Sequence, residues 1–226
     1  MINVIYEDNH VLVVIKPQNI PTQEDSSGDK DMLTLVKEYI KEKYNKPGNV
    51  YVGLVHRLDR PTGGVMVFAK TSKAAARLTE EIKNNSLTKT YLTIVNGTPK
   101  VKKQTLINHL KKNEKTNIVS VVGSAVSGAK YAELNYETLE SVGGTSLLSV
   151  NLITGRSHQI RAQLSHMGNY IYNDFKYGSK TKGNLMLWAY KLVFEHPITK
   201  QKLTFKVLPE LTGAWKNYEN VISKLA

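Results

Sequence analysis

The chain has 226 residues, of which 41% are hydrophobic and 22% are charged, a composition typical of a globular protein with a substantial buried core. It has no cysteine, which excludes disulfides and thiolate chemistry. Thirty-one Lys and Arg residues against nineteen Asp and Glu residues give a formal net charge of +12, with a pI near 9.6. This excess favours a polyanionic partner such as nucleic acid over a generally basic protein with no such partner.

Targeting and cofactor signals are missing from the sequence. The N-terminus, MINVIYEDNH, lacks a basic segment followed by an apolar core, and no apolar run approaches ~18 residues. We therefore expect a cytoplasmic protein with no membrane span. The sequence contains neither G-x-x-x-x-G-K-[ST] nor G-x-G-x-x-G, and its histidines lack zinc-ligand spacing. We expect no cofactor and no metal.

Hydrophobic periodicity and turn residues predict the elements of the first half of the chain. In order, these are a β-hairpin of Val4–Tyr6 and Val11–Ile15, a polar mobile loop at 18–31, a helix over Met32–Tyr44, two short buried strands at Val52–Val55 and Val65–Ala69 separated by a turn at 61–64, and a helix over 71–85.

The second half is predicted to be richer in strands. The strands are 89–95, Gln104–Leu110, Asn117–Val122, Lys130–Leu139, Ser146–Asn151, Leu185–Glu195 and Lys202–Val207, with a helix starting near Ser157 and a last helix over Thr212–Leu225. Neither a linker nor a repeat is visible. We therefore predict one α/β (α+β) domain over residues 1–226.

One carboxylate stands out in the segment between the two short buried strands. Asp59 lies between Arg57 and Arg60 and follows His56. Two neighbouring guanidinium groups favour the ionised form of an aspartate, which can then act as a nucleophile or as a base. The alternative is a structural ion pair on a loop.

A second candidate residue is Arg161, in the first turns of the helix predicted to begin near Ser157. A cation there is disfavoured by the helix dipole unless an anion meets it. We infer that Arg161 pairs with a carboxylate or a phosphate.

Six segments resemble motifs of the RluA family of RNA pseudouridine synthases. The segment from His56 to Gly64 resembles HRLDxxTSG, and the segment from Thr154 to Arg161 resembles TGRxHQIR. Two shorter matches, to KPxG and K-x-Y, begin at Lys16 and Lys89. Residues 168–174 resemble G-x-P-I-x-G-D, and residues 185–189 match a segment that usually has histidine at the position of Trp188. The resemblance covers most of residues 3–208. The chain departs from the family pattern at Asn19, Gly63, Thr93, Tyr170, Asn173 and Trp188.

The resemblance implies the pseudouridine synthase catalytic fold, a central, mostly antiparallel mixed sheet flanked by helices and loops, without the N-terminal S4 domain of many relatives. It implies an isomerase that converts specific uridines of ribosomal or transfer RNA to pseudouridine. Asp59 would be the catalytic residue, Arg161 would pair with it, and Tyr91 would line the site beneath the base.

The implied reaction has no redox or phosphoryl-transfer step, in keeping with the absence of cofactor motifs. Arg57 would fill the space left by the flipped base, the alternative being an ion pair with Asp59. The residues expected to contact RNA are His56, Arg57, Arg60, Arg156 and His158. A monomer is expected.

Two other functions compete with this interpretation. A glycoside hydrolase breaks the same kind of bond but usually needs two carboxylates, and residues 51–70 contain one. A non-catalytic RNA-binding or ribosome-assembly module would fit the basic composition, but it would have no need for the set of Asp59, Tyr91 and Arg161.

Overall fold

The computed structural model describes residues 2–226, which contain eleven strands and four α-helices. In chain order the elements are β1 (Asn3–Glu7), β2 (Val11–Lys16), α1 (Met32–Lys43), β3 (Gly53–Leu54), β4 (Gly63–Ala69), α2 (Ser72–Lys83), β5 (Thr88–Asn96), β6 (Lys103–Asn113), β7 (Ile118–Val122), β8 (Lys130–Val142), β9 (Thr145–Leu152), α3 (Gln159–His166), β10 (Leu187–Glu195), β11 (Lys202–Lys206) and α4 (Glu219–Ile222).

The chain divides into two compact units. The first unit contains the residues up to Thr88 together with Ala189–Val207, and the second contains Lys89–Trp188 together with Leu208–Ala226. Eight strand pairs are antiparallel, namely β1–β2, β2–β4, β3–β4, β5–β9, β6–β7, β6–β8, β8–β9 and β10–β11, so the predicted mostly antiparallel α/β class is confirmed. The expectation of a single domain stays a prediction.

In the first unit the strand order is β1-β2-β4-β10, with β3 beside β4 and β11 beside β10. The predicted N-terminal hairpin is confirmed, and the Asp8 carboxylate closes its turn by accepting the amides of His10 and Val11. Strands β2 and β4 are buried along almost their whole length, and Leu78 of α2 packs into the same core. This burial explains the continuous apolar runs of both strands.

In the second unit the strand order is β5-β9-β8-β6-β7. Gly143 and Gly144 make the predicted tight turn between β8 and β9, with positive φ angles of 57° and 75° that glycine adopts without strain. Ala162 of α3 packs with Leu110 and Ala132 of the sheet. This packing fixes the position of the helix that carries Arg161.

Three predicted elements were wrong in detail. The strand expected at Val52–Val55 is only the two-residue β3, and Gly63 and Gly64 belong to β4 and not to the turn. The last helix is not continuous, because a 3-10 turn at Gly213–Tyr218 precedes the short α4. Burial of Trp215, Tyr218 and Ile222 sets that segment, although their spacing had suggested one helix. None of the helices within residues 2–226 combines the length and apolar character needed to cross a bilayer.

Candidate functional site

The loop that carries Asp59, residues 56–62, is held by the segment that follows β2. A turn closes over it, in which the Thr62 amide donates to the Asp59 carbonyl at 2.9 Å. The carbonyls of Leu58, Arg60, Pro61 and Thr62 each accept a hydrogen bond from residues 16–22. The backbone that carries the carboxylate is therefore pre-organised.

Lys16 provides the centre of that support. Its side chain is completely buried, and its Nζ donates to the carbonyls of Pro17, Arg60 and Thr62 at 2.8–3.0 Å. Burial lowers the pKa of Lys16 to about 7, while the Asp59 carboxylate opposes that shift. Lys16 therefore joins the end of β2 to the segment that directly follows the candidate catalytic residue.

One hydrogen bond joins the loop to β4, and a close backbone approach joins the start of β4 to β10. The Val67 amide donates to Nε2 of His56 at 3.1 Å, so this nitrogen is an acceptor. Gly64 has a φ of 124°, and a Cβ atom there would collide with the backbone of Ala189. Only glycine allows this close approach between β4 and β10.

The two arginines that flank Asp59 differ in their surroundings. Arg57 is exposed, and its hydrogen bond within residues 2–226 is a long one, 3.4 Å, to Gln23. The RNA contact predicted for Arg57 stays a prediction.

Arg60 is already engaged by the loop at 18–31. It donates to the Asn19 carbonyl and the Ser27 hydroxyl, bonds the Asp29 carboxylate, and lies 3.6 Å from the Asp25 carboxylate. An RNA phosphate would have to replace these carboxylates, so the contact predicted for Arg60 stays a prediction.

Tyr91 lies in the second unit, in the middle of β5 and opposite Val150 of β9. It is 5% exposed, and the strand alternation places it on the same face as Lys89 and Thr93. Thr93, where the family often has alanine, donates its hydroxyl to the Met186 carbonyl at 2.8 Å, so this departure leaves no unsatisfied group.

Arg161 has a carboxylate partner, as its position near the start of α3 predicted. Its Nε and Nη2 donate to the two carboxylate oxygens of Asp174, both at 2.7 Å, and both side chains are buried. Its guanidinium also lies 4.8 Å from the ring centroid of Tyr177. The pairing of Arg161 with Asp59 stays a prediction.

The turn before α3 is held by its own side chains. Gln159 accepts from the Thr154 hydroxyl and the Arg156 amide, and it donates to the Glu133 carbonyl. Arg156 is exposed and its Nε donates to the Tyr131 carbonyl, so part of its guanidinium faces solvent. The RNA contact predicted for Arg156 stays a prediction.

His158 is the N-cap of α3 and has a positive φ of 48°. Its Nδ1 lies 2.8 Å from the Tyr177 hydroxyl, which in turn accepts the Val119 amide. These contacts tie His158 to the ring that stacks on Arg161. An RNA contact by His158 stays a prediction.

Sequence reasoning missed three residues of this arrangement: Lys16, Asp174 and Tyr177. Lys16 was interpreted as a strand end, although a lysine that ends a buried apolar strand is itself a signal. Asp174 and Tyr177 follow Arg161 by thirteen and sixteen residues, and nothing local marks them as its partners. Asn19 and Asn173, where the family usually has glycine, both have a φ of 66°, and asparagine tolerates this conformation better than most residues.

The comparisons with known proteins agree on the family. A family model described as RNA pseudouridylate synthase matches residues 10–166. The chain is 32% identical to the ribosomal large subunit pseudouridine synthase C of Buchnera aphidicola subsp. Schizaphis graminum, covering 97% of this chain and 70% of that protein.

A second relative is an uncharacterised RNA pseudouridine synthase of Helicobacter pylori, 31% identical over 91% of this chain and 66% of that protein. The chain thus spans about two thirds of the length of these curated relatives. The structure of human RNA pseudouridylate synthase domain containing 4 superimposes with a TM-score of 0.78 at 20% identity, over 98% of this chain and 93% of that one, which supports the fold. The chain belongs to the RluA-type RNA pseudouridylate synthases, a family of isomerases.

Proposed function

We propose that this chain isomerises uridine to pseudouridine in RNA, with Asp59 as the catalytic carboxylate. The observation that carries the proposal is the hydrogen-bonded support of the Asp59 loop. Four of its carbonyls, those of Leu58, Arg60, Pro61 and Thr62, accept hydrogen bonds from residues 16–22. A solvated loop ion pair would not need such support. Family membership and the charge of +12 agree with an RNA substrate.

The chemistry needs no external electrons. The N1–C1′ glycosidic bond breaks, the uracil turns, C5 bonds to C1′, and the proton on C5 is lost while N1 gains one. Asp59 either attacks the sugar or removes a ribose proton, and both routes use an ionised carboxylate.

The other side chains act on the base and on the carboxylate. Arg161, oriented by Asp174, keeps Asp59 ionised and positioned. Tyr91 stacks against the base and assists the loss of the C5 proton. A tyrosine is a weak base at neutral pH, so stacking is its main contribution.

The target base must leave its stack before reaction, at a cost of a few kcal/mol. Arg57 recovers part of this cost by occupying the vacated space, since its side chain is exposed and weakly held by Gln23. Exposed lysines between residues 100 and 112 supply phosphate binding that weakens with salt.

For the substrate we propose RNA of the large ribosomal subunit, since one relative carries that name. The test uses wild-type protein and Asp59→Asn with unmodified total RNA and with unmodified large-subunit transcript. Pseudouridine is mapped by carbodiimide adducts and primer-extension stops. Lys130→Met, a change on an exposed lysine, is the control for handling and folding.

We expect one or a few stops with the wild type and the control, and none with Asp59→Asn. Stops that appear only in transfer RNA would show that transfer RNA, and not large-subunit RNA, is the substrate. Equal stops with Asp59→Asn would overturn the role of Asp59. Salt-sensitive RNA binding without any stop would establish a non-catalytic binding module in place of the synthase.

A further inference from the structure

Lys89 is a half-buried lysine to which no role has yet been given. It lies on β5, two residues before Tyr91 and on the same face of the strand, and it pairs with Leu152 of β9. Its Nζ lies against the backbone of Gly155, since a Cβ atom on that glycine would be 3.4 Å from it. The ammonium group therefore lies beneath the exposed segment 155–157.

The other lysines that are removed from water have oxygen partners. Lys16 donates to three carbonyls, and Lys70 bonds the Glu7 carboxylate and the Asp8 carbonyl. Within residues 2–226, the side chain of Lys89 has neither a hydrogen bond nor an ion pair. Partly buried cations are normally paired, because an unpaired charge loses hydration without compensation.

The electrostatics of Lys89 agree with a missing anion. Burial lowers the pKa of Lys89, and no carboxylate opposes that shift. An anion placed next to Nζ would restore the charged form and would supply the missing hydrogen-bond acceptor.

We propose that Lys89 binds a phosphodiester group of the RNA substrate next to the target uridine. The inference rests on the proposed function, because an RNA substrate supplies the anion. It assigns to Lys89 the positioning of the backbone, while Tyr91 faces the base.

The spacing along β5 sets which phosphate is bound. Residues two apart on a strand are about 6.6 Å apart, so the ammonium group lies within one nucleotide of a base at Tyr91. The Gly155 position has no side chain, and the residues around it at 155–157 are exposed. An RNA strand can therefore approach Nζ from this side.

The first test measures RNA binding against salt. The affinity of wild type, Lys89→Met, Lys89→Arg and the control Lys130→Met for unmodified large-subunit transcript is measured between 50 and 300 mM KCl, values chosen as roughly the range in which phosphate contacts are sensitive. For Lys89→Met we expect about tenfold weaker binding and a slope of log K against log salt that is smaller by about 0.7 to 0.9. Lys89→Arg should retain most of the slope, and Lys130→Met should leave it unchanged.

The second test locates the phosphate. The transcript is ethylated sparsely on its phosphates, and bound and free fractions are compared for each protein. With wild type, ethylation within one or two nucleotides of the mapped pseudouridine should prevent binding. With Lys89→Met, interference at one of these phosphates should disappear while the others persist.

These results separate the inference from the function on which it rests. If wild type forms pseudouridine but Lys89→Met keeps the wild-type salt slope and interference pattern, Lys89 is not a phosphate ligand. If wild type forms no pseudouridine, the proposed function is contradicted, and the inference about Lys89 that rests on it is contradicted as well. A stability effect alone would raise the unfolding midpoint of Lys89→Met, because it removes an unpaired charge, and would leave both RNA readouts unchanged. Should Lys89→Met fail to fold, Lys89→Gln has the same expected results and the same contradicting ones.

Discussion

Arg161 and Asp174 form a buried ion pair through two parallel hydrogen bonds of 2.7 Å. Two bonds fix the plane of the guanidinium as well as its position. Tyr177 stacks on the same group and is itself hydrogen-bonded to the Val119 amide and to His158. The orientation of Arg161 is therefore set within its own unit, by residues that follow it in the chain.

Removing the charge of Asp174 should destabilise the protein and slow the reaction. Asp174→Asn removes the charge of the carboxylate that holds the buried Arg161 through two hydrogen bonds, for which we expect a loss of about 3 kcal/mol in the free energy of unfolding. The single-turnover rate should fall about tenfold or more, because the role proposed for Arg161 depends on the position of its guanidinium. Urea unfolding and pseudouridine formation measure the two effects.

The matched control for Asp174 is Glu137→Gln, which removes a carboxylate from an exposed pair with Lys103. It should change the free energy of unfolding by less than about 1 kcal/mol and leave the rate unchanged. Equal effects of the two substitutions would show that the buried pair has no special role.

Lys16 should give the protein a stability that rises with pH. Burial lowers its pKa to about 7, against 10.5 in the unfolded chain. Below pH 7 Lys16 is protonated in both the folded and the unfolded state. Between pH 7 and 10.5 the unfolded state binds more protons than the folded state. Because of this difference, Lys16 raises the free energy of unfolding as the pH rises, by at most about 1.4 kcal/mol per pH unit.

Lys16→Met has no group that titrates there. We therefore expect the stability difference between wild type and Lys16→Met to grow in favour of wild type from pH 7 to 9, measured by urea unfolding. A difference that is constant with pH would place the folded-state pKa of Lys16 near its unfolded value. Lys130→Met, an exposed lysine, is the control and should follow wild type at every pH.

Gly64 should not tolerate any side chain. Gly64→Ala combines a φ of 124° with a collision against the backbone of Ala189, so we expect a loss of at least about 3 kcal/mol or failure to fold. Gly123→Ala is the control, because its φ is not in the left-handed region and nothing lies within 4 Å of the added atom. Thermal unfolding measures the stability of both variants. A folded Gly64→Ala variant with wild-type stability would contradict the prediction.

Glu7 should make the first unit sensitive to acid. Its burial favours the neutral form, but hydrogen bonds from Lys43, Lys70 and two tyrosine hydroxyls outweigh that effect and lower the pKa of Glu7 to about 2. A lowered folded-state pKa stabilises the protein above pH 4.5, and this contribution is lost as pH falls from 4.5 towards 2.

The variant Glu7→Gln lacks this contribution. Wild type should therefore be more stable than Glu7→Gln at pH 7, and the difference should shrink as the pH falls through that range. Acid unfolding followed by circular dichroism measures it. Glu38→Gln, whose carboxylate is in an exposed pair with a lysine, should show little pH-dependent difference from wild type.

Local patterns were sufficient to predict most of the elements. Strand-like runs and turn residues identified the N-terminal hairpin and the strands from β5 to β9, and apolar spacing identified α1 and α2, whose observed N-caps are Asp31 and Thr71. These features depend on neighbours in sequence, so the sequence alone carries them. The last helix was predicted less well, because burial of Trp215 and Tyr218 shaped its first turns.

The sequence by itself determined the family motifs, the positions of Asp59, Tyr91 and Arg161, and the need of Arg161 for an anion. Only the tertiary structure decided which groups meet them. It placed the Asp174 carboxylate beside Arg161, and it brought the Nζ of Lys16 to carbonyls 44 and 46 residues away. The physical reason is that side-chain periodicity records which face of an element is buried, whereas the partner of a buried charge depends on which distant backbone the fold places beside it.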